Sequence, residues 1–159
     1  MSPQSIRTRA ARQTDVDAIC VLWREFMECH AAHDSYFAIE VGSEKYFAQH
    51  LREHISNRMA CVRVAIRDGV ICGYIMGKIE NRPPVFVRKR AGMIGDLAVA
   101  ADYRRLGIGR LLADDIFKWF KSHDIDRVEL ILLSANPLST QFWQALGFEA
   151  YSCRMFREI

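Results

Sequence analysis

Asp96-Leu97-Ala98-Val99-Ala100-Ala101-Asp102-Tyr103-Arg104-Arg105-Leu106-Gly107-Ile108-Gly109-Arg110 reads as an apolar strand, a short basic turn and the first turn of a helix. A helix start exposes N–H groups with no internal partner, and its end of the backbone dipole is positive. Gly107 and Gly109 carry no side chain, so an anion can approach the backbone there. Arg104, Arg105 and Arg110 add positive charge to the same turn. A pyrophosphate is the natural occupant. A bare G-x-G is a weak signal; the combination of apolar strand, R-x-x-G-x-G and amphipathic helix is much more specific. G-x-x-x-x-G-K-[ST] is absent, which argues against a P-loop nucleotidase. A dinucleotide fold needs a third glycine where Leu112 stands, although Glu129 lies about 20 residues onward, as that fold requires.

Downstream of the turn, Ile108, Leu111, Leu112, Ile116, Trp119 and Phe120 form the apolar stripe of a helix. Residues 127–133 are rich in β-formers, Asn136-Pro137 opens another helix with proline in its first turn, and Gly147 ends it. Residues 148–156 read as a last strand or strand pair. Upstream, residues 6–11 form a short strand. Thr14 or Asp15 can cap a helix with Val16, Ile19, Cys20, Trp23 and Met27 on one face, and a polar loop with aromatics spans residues 30–41. Ser43 can cap a second helix bearing Phe47, Leu51 and Ile55. Val62, Val64 and Ile66 alternate with Arg63 and Arg67 in a half-buried strand, Asp68-Gly69 is a hairpin turn, and residues 70–79 return. After a loop at Asn81-Arg82-Pro83-Pro84, residues 91–99 form the strand that leads into the basic turn. The order β-α-α-β-β-β-α-β-α-β, with one strand–helix–strand crossover, predicts an α/β (α+β) fold. Its sheet is mixed and mostly antiparallel, with six or seven strands and helices on both faces.

A chain of 159 residues with half its residues hydrophobic suits one compact domain, spanning residues 1–159. A formal charge of +3 fits a small anionic ligand and does not argue for nucleic acid. Residues 1–10 carry arginines without an apolar stretch behind them, unlike a secretion signal. Residues 70–76 are too short to span a bilayer. Cys20, Cys29, Cys61, Cys72 and Cys153 include no C-x-x-C pair, and most sit in apolar surroundings. Buried thiols in a reducing cytosol are the simplest reading. His30/His33 and His50/His54 have spacings able to hold a metal, but no H-E-x-x-H or cysteine partner accompanies them. They read as solvated helical histidines, with no metal.

The sequence resembles the GNAT acetyltransferases. That family carries [RQ]-x-x-G-x-[GA] after its fourth strand, which Arg104 to Gly109 match. Its N-x-x-A-x-x-x-Y-x-x-x-G-F region resembles Asn136-Pro137 followed by Phe142-Trp143-Gln144-Ala145-Leu146-Gly147-Phe148. The element order matches across nearly the whole chain. The resemblance implies an acetyl-CoA-dependent N-acetyltransferase, an acyltransferase in which an amine attacks the thioester directly. Leu97, Ala98 and Val99 would pair with the pantetheine arm like an added strand. The N–H groups of Arg105, Leu106, Gly107, Ile108, Gly109 and Arg110 would hold the pyrophosphate. Asn136 would contact the coenzyme and Phe142 would lie near its far end. The family often forms homodimers, which exposed strand edges permit.

Two positions depart from the family's pattern. A tyrosine that protonates the departing thiolate is replaced by Trp143, whose indole N–H can only donate. A glutamate common just before Asp96 is replaced by Gly95. Deprotonating an amine of pKa ~10.4 at pH 7 costs roughly 4–5 kcal/mol, so an acceptor of that kind needs a proton acceptor, whereas a weakly basic amine does not. Asp96 is the leading candidate for base or amine anchor. His30, which can titrate near neutrality, is the second catalytic candidate, and Asp34, Tyr36 and Trp143 are the candidate substrate contacts. The catalytic reading stands beside two others, a non-catalytic acyl-CoA sensor and a nucleotide-binding α/β domain. The acceptor, whether small amine or protein amine, is open at this level.

Overall fold

The computed structural model describes residues 5–159; residues 1–4, part of the stretch compared above with a secretion signal, lie outside them. The strands are β1 (Arg7–Ala10), β2 (Ala60–Arg67), β3 (Val70–Asn81), β4 (Arg90–Val99) and β5 (Val128–Leu130). The helices are α1 (Val16–His33), α2 (Glu44–Ser56), α3 (Ile108–Ser122) and α4 (Pro137–Ala145). The sheet runs in the order β1-β2-β3-β4-β5. Its first three pairings are antiparallel and β4–β5 is parallel, as the strand–helix–strand unit requires.

Strand alternation divides the core in two. Val62, Val64, Ile66, Tyr74 and Met76 pack with Val16, Ile19, Phe47 and Leu51 of α1 and α2. On the other face Cys61, Ala65, Ile75 and Ile79 pack with Leu112, Ile116 and Phe120 of α3. Helices therefore cover both faces, and β2 is buried on both sides rather than on one. Arg63, expected on a solvent face, instead points toward Asp115 of α3 at 3.7 Å. Asp68 and Gly69 both take positive φ (53° and 81°), the geometry of a tight two-residue hairpin.

Four local expectations are corrected. Helix α1 continues through His33, so His30 lies in its last turns and not in the loop that follows. Asp15 precedes α1 without capping it; its carboxylate turns back to Arg9 and to the Arg12 N–H. Ser43 precedes α2 likewise, with no side-chain cap bond. Residues 148–156, read as a last strand or pair, form no strand, nor do residues 157–159, and the sheet has five strands among the described residues. Met155 and Phe156 are almost fully exposed, so these apolar residues are not held to a core face and nothing sets a register.

Candidate acetyl-transfer site

Strand β4 carries one residue too many for its partner. Met76 faces Asp96 and Gly77 faces Ile94, which leaves Gly95 as a bulge. A bulge reverses which residues point their backbone groups to which side. Before it, the Gly92 N–H donates toward β5, to the Arg127 carbonyl at 2.9 Å; after it, the Ala100 N–H donates to Cys72 of β3 at 2.9 Å. Backbone groups alternate along a strand, so those of Leu97 and Val99 face away from β3. The β5 ladder has already stopped at Ile94–Leu130. The strands part, and a free edge of β4 remains. Ala98 is buried against the α1 face.

The turn beyond is built from two left-handed residues, Arg105 (φ 63°) and Gly107 (φ 77°). The first N–H of α3 to bond back is Leu111, to the Gly107 carbonyl at 3.1 Å. Gly107 offers no side-chain cap, so the earlier N–H groups of the first turn are left for a ligand. Gly109 has a packing reason for its identity: a Cβ there would stand 3.2 Å from the Phe142 ring. Phe142 thus seats α4 against the start of α3. Arg104 does something other than add free charge. Its guanidinium donates to the Val99 carbonyl (3.1 Å) and to Glu25 of α1 (2.9 Å), and Glu25 also accepts from the Ala101 N–H (3.0 Å). This cluster ties the turn to α1, and the open positive charge of the turn is that of Arg105 and Arg110, both exposed. Asn136 accepts from the Ser139 N–H at 3.2 Å and so caps α4.

Two clefts meet at Gly95. The narrower, about 70 Å³, runs between the parted strands and is lined by Phe26, His30, Leu97, Asn136 and Trp143. The wider, about 280 Å³, lies on the α1/α2 side, lined by Trp23, Phe47, His50, His54, Lys78 and Asp96. The nearest atoms to a Cβ at Gly95 would be those of Met76, at 3.9 Å. The absent side chain therefore leaves open space where the clefts join.

Asp96, on the wall of the wider cleft, accepts from the buried Tyr74 hydroxyl at 3.1 Å. Burial pushes the Asp96 carboxyl above the usual carboxylate range, opposed by the Tyr74 hydrogen bond and by His30 and His54. Burial and the neighbouring Asp96 charge push the Tyr74 phenol up, so it stays a donor. Burial pulls His54 below the ordinary histidine value, and its Nδ1 lies 3.0 Å from the His50 carbonyl. Trp143 is buried with its ring edge-on to Phe142 and Phe148, as a wall of the narrow cleft. His30 borders that cleft, its Nδ1 2.9 Å from the Phe26 carbonyl.

Asp34 and Tyr36 line neither cleft. Asp34 accepts from the Tyr36 N–H at 3.0 Å, and the Tyr36 side chain is 88% exposed; helix α1 runs past the clefts before this turn begins. His50 and His54, read from sequence as solvated, line the wider cleft together. A helical pattern alone could not reveal this, because the cleft wall is formed by β3 and β4, distant in sequence.

Two clefts that meet at one bulged strand are an arrangement suited to group transfer between two reactants. The chain matches the Acetyltransferase (GNAT) family over residues 19–148, and it belongs to that family. It is 33% identical to an N-alpha-acetyltransferase of Sulfurisphaera tokodaii over 150 residues, covering 90% of this chain and 80% of that one. Its fold superposes on the BH1408 protein of Bacillus halodurans with a TM-score of 0.87 at 21% identity, covering 96% and 99% of the two chains. It also superposes on the aminoglycoside N-acetyltransferase AAC(6')-Iy in complex with CoA, with a TM-score of 0.79 at 16% identity over 99% and 96%. The chain is an N-acetyltransferase that takes its acetyl group from acetyl-CoA. These likenesses do not favour a binding-only sensor, and the mostly antiparallel sheet overturns the dinucleotide-domain reading. Among the described residues no helix is long and apolar enough to cross a membrane.

Proposed function

We propose that the acceptor is an α-amino group, the free N-terminus of a peptide or protein, that it enters the wider cleft, and that Asp96 anchors it there. The observation that carries this is Gly95. Where relatives of the family commonly hold a glutamate, this chain has an open passage beside a single half-buried carboxylate. An α-amine has a pKa of ~7.7–8.0, so freeing it at pH 7 costs only about 1 kcal/mol, against roughly 4–5 for a lysine-like amine. Such an acceptor fits a site without that glutamate. The 33% identity to an N-alpha-acetyltransferase supports the same reading.

In this reading the free edge at Leu97 and Val99 receives the pantetheine arm, and an N–H there polarises the thioester carbonyl. The turn from Arg105 to Arg110 holds the pyrophosphate. Arg104 has to give up the Val99 carbonyl as the arm pairs. Asn136 and Trp143 wall the narrow cleft, and Phe142 holds α4 against the start of α3. His30 borders the narrow cleft, its Nδ1 turned to the Phe26 carbonyl, on the side from which the thiol departs. Five free thiols, Cys61 and Cys72 buried, suit a reducing compartment such as the cytosol.

Mass spectrometry after incubation with acetyl-CoA tests the acceptor. A peptide with a free N-terminus is expected to gain acetyl on its α-nitrogen, well ahead of an N-blocked peptide containing lysine and ahead of an aminoglycoside. Preference for either of the latter would overturn the proposal. Asp96→Asn is expected to reduce kcat/KM for the amine by about 10–100-fold, mainly through KM. A hydrogen bond to a charged group is worth about 1.5–3 kcal/mol, and asparagine can still accept from Tyr74. Steady-state kinetics against each substrate in turn check this, with the KM for acetyl-CoA expected to stay near the parent's.

A further inference from the structure

We propose that His54 is the proton acceptor of the reaction, working from α2 across the cleft from Asp96. The proposal rests on the assignment of the wider cleft to the acceptor amine. A carbonyl oxygen can only accept a hydrogen bond, so the 3.0 Å contact with the His50 carbonyl puts a proton on His54 Nδ1. That fixes the neutral tautomer, and Nε2 keeps its lone pair. His54 lines the same cleft as Asp96 and Gly95, the junction with the thioester cleft. A base must stand within reach of the amine on the side away from the thioester, and α2 occupies that side.

The charges facing His54 keep it ready. Burial, His50 on its own helix and Lys78 from β3 oppose its protonation, while Asp96 from β4 and the hydrogen bond to the His50 carbonyl favour it; Trp23 and Phe47 complete the wall without charge. The imidazole is neutral at pH 7. Asp96 holds the incoming ammonium, His54 Nε2 takes one of its protons, and the freed nitrogen pair forms the N–C bond to the acetyl carbon. The C–S bond then breaks with its electron pair on sulfur. The second proton lost by nitrogen goes to that thiolate, and the proton on His54 returns to solvent. The balance is one ammonium and one thioester consumed, with one amide, one thiol and one solvent proton formed. Asp96 and His54 thus divide two tasks, anchor and base, between two elements.

The test compares the parent and His54→Gln on two peptides of one sequence, one with a free α-amine and one N-capped by a p-aminobenzoyl group, whose arylamine is unprotonated at neutral pH. On the α-amine, kcat is expected to fall by about 10²-fold with KM for the peptide near the parent's. The acidic limb of the kcat/KM profile that lies below pH ~6.5 is expected to vanish. On the arylamine, turnover is expected to stay near the parent's. Equal losses on both acceptors, or an acidic limb retained in the variant, would overturn the proposal. His54→Phe, which keeps the ring volume, replaces the glutamine variant if that one does not fold, judged by its acetyl-CoA affinity. Should the parent turn over a lysine side chain or an aminoglycoside in place of the α-amine, the α-amine acceptor reading fails; the kcat and pH comparison on that amine still decides His54.

Discussion

Gly107→Glu is expected to weaken acetyl-CoA binding by at least about 10²-fold while leaving the protein folded. Gly107 sits at φ 77°, where a residue with a Cβ loses about 1–2 kcal/mol of folding stability, a cost borne with and without the coenzyme. A glutamate there also sets a carboxylate beside the pyrophosphate in a turn that Arg105 and Arg110 keep positive, and like charges in contact cost several kcal/mol. That repulsion alone exceeds about 2.8 kcal/mol, two factors of ten. A Cβ at Gly107 would have nothing within 4 Å, so packing contributes no loss. Titration calorimetry reads the affinity, and Gly107→Asn separates the terms, because asparagine tolerates the left-handed conformation without charge. The asparagine variant should bind nearly as the parent does. An unchanged affinity in the glutamate variant would remove the pyrophosphate from this turn.

The largest stability effect is expected at Asp15, far from both clefts. Its carboxylate is buried and receives both guanidinium nitrogens of Arg9 (2.6 and 3.0 Å) and the Arg12 N–H (2.7 Å). The cluster joins edge strand β1 to the start of α1. Breaking a buried pair by removing one member costs about 3–5 kcal/mol, since the other charge stays behind. Each kcal/mol shifts Tm by about 2–4 °C in a domain of this size, so Asp15→Ala should melt roughly 6–20 °C below the parent in calorimetry. A shift under 2 °C would show the pair to be idle. The pH dependence has a definite sign. The Arg9 hydrogen bonds hold Asp15 below its ordinary value. Its contribution is therefore present above the unfolded value of ~3.9 and lost as pH falls through the lower folded value. Asp15→Ala should lack that acid-side loss. Asp96 acts oppositely. Its raised carboxyl costs stability as pH rises from ~3.9 toward its folded value, a slope that Asp96→Asn should remove.

Much of the site is legible in residues 96–110 because its parts are local. A strand, a turn with glycine at a left-handed position and an amphipathic helix are each written in neighbouring residues. Asn136-Pro137 and Gly147 mark the ends of α4 for the same reason. What escapes is whatever depends on a second segment. Arg104 looks like one more phosphate ligand until Glu25, 79 residues earlier, is seen to hold it. Gly109 reads as a place for an anion, and Phe142 lying against it adds a packing reason for the missing side chain that no neighbouring residue shows. His54 has the spacing of a solvated helix face, and only the approach of β3 and β4 makes it a cleft wall. Asp34 and Tyr36 are candidates on a loop read as starting at His30; four more helical residues, 30–33, carry them out of reach.

The sequence alone determines the element order as far as α4, the crossover between β4 and β5, the hairpin at Asp68-Gly69 and the glycine-bearing entrance to α3, since propensity, periodicity and turn chemistry act over a few residues. The tertiary structure alone decides the bulge at Gly95, the parting of β4 from β5 and the partnership of Tyr74, Asp96, His50 and His54. Register and burial are set by what packs across the sheet. The charge state of Asp96 or His54 follows first from that burial, which no stretch of neighbouring residues sets.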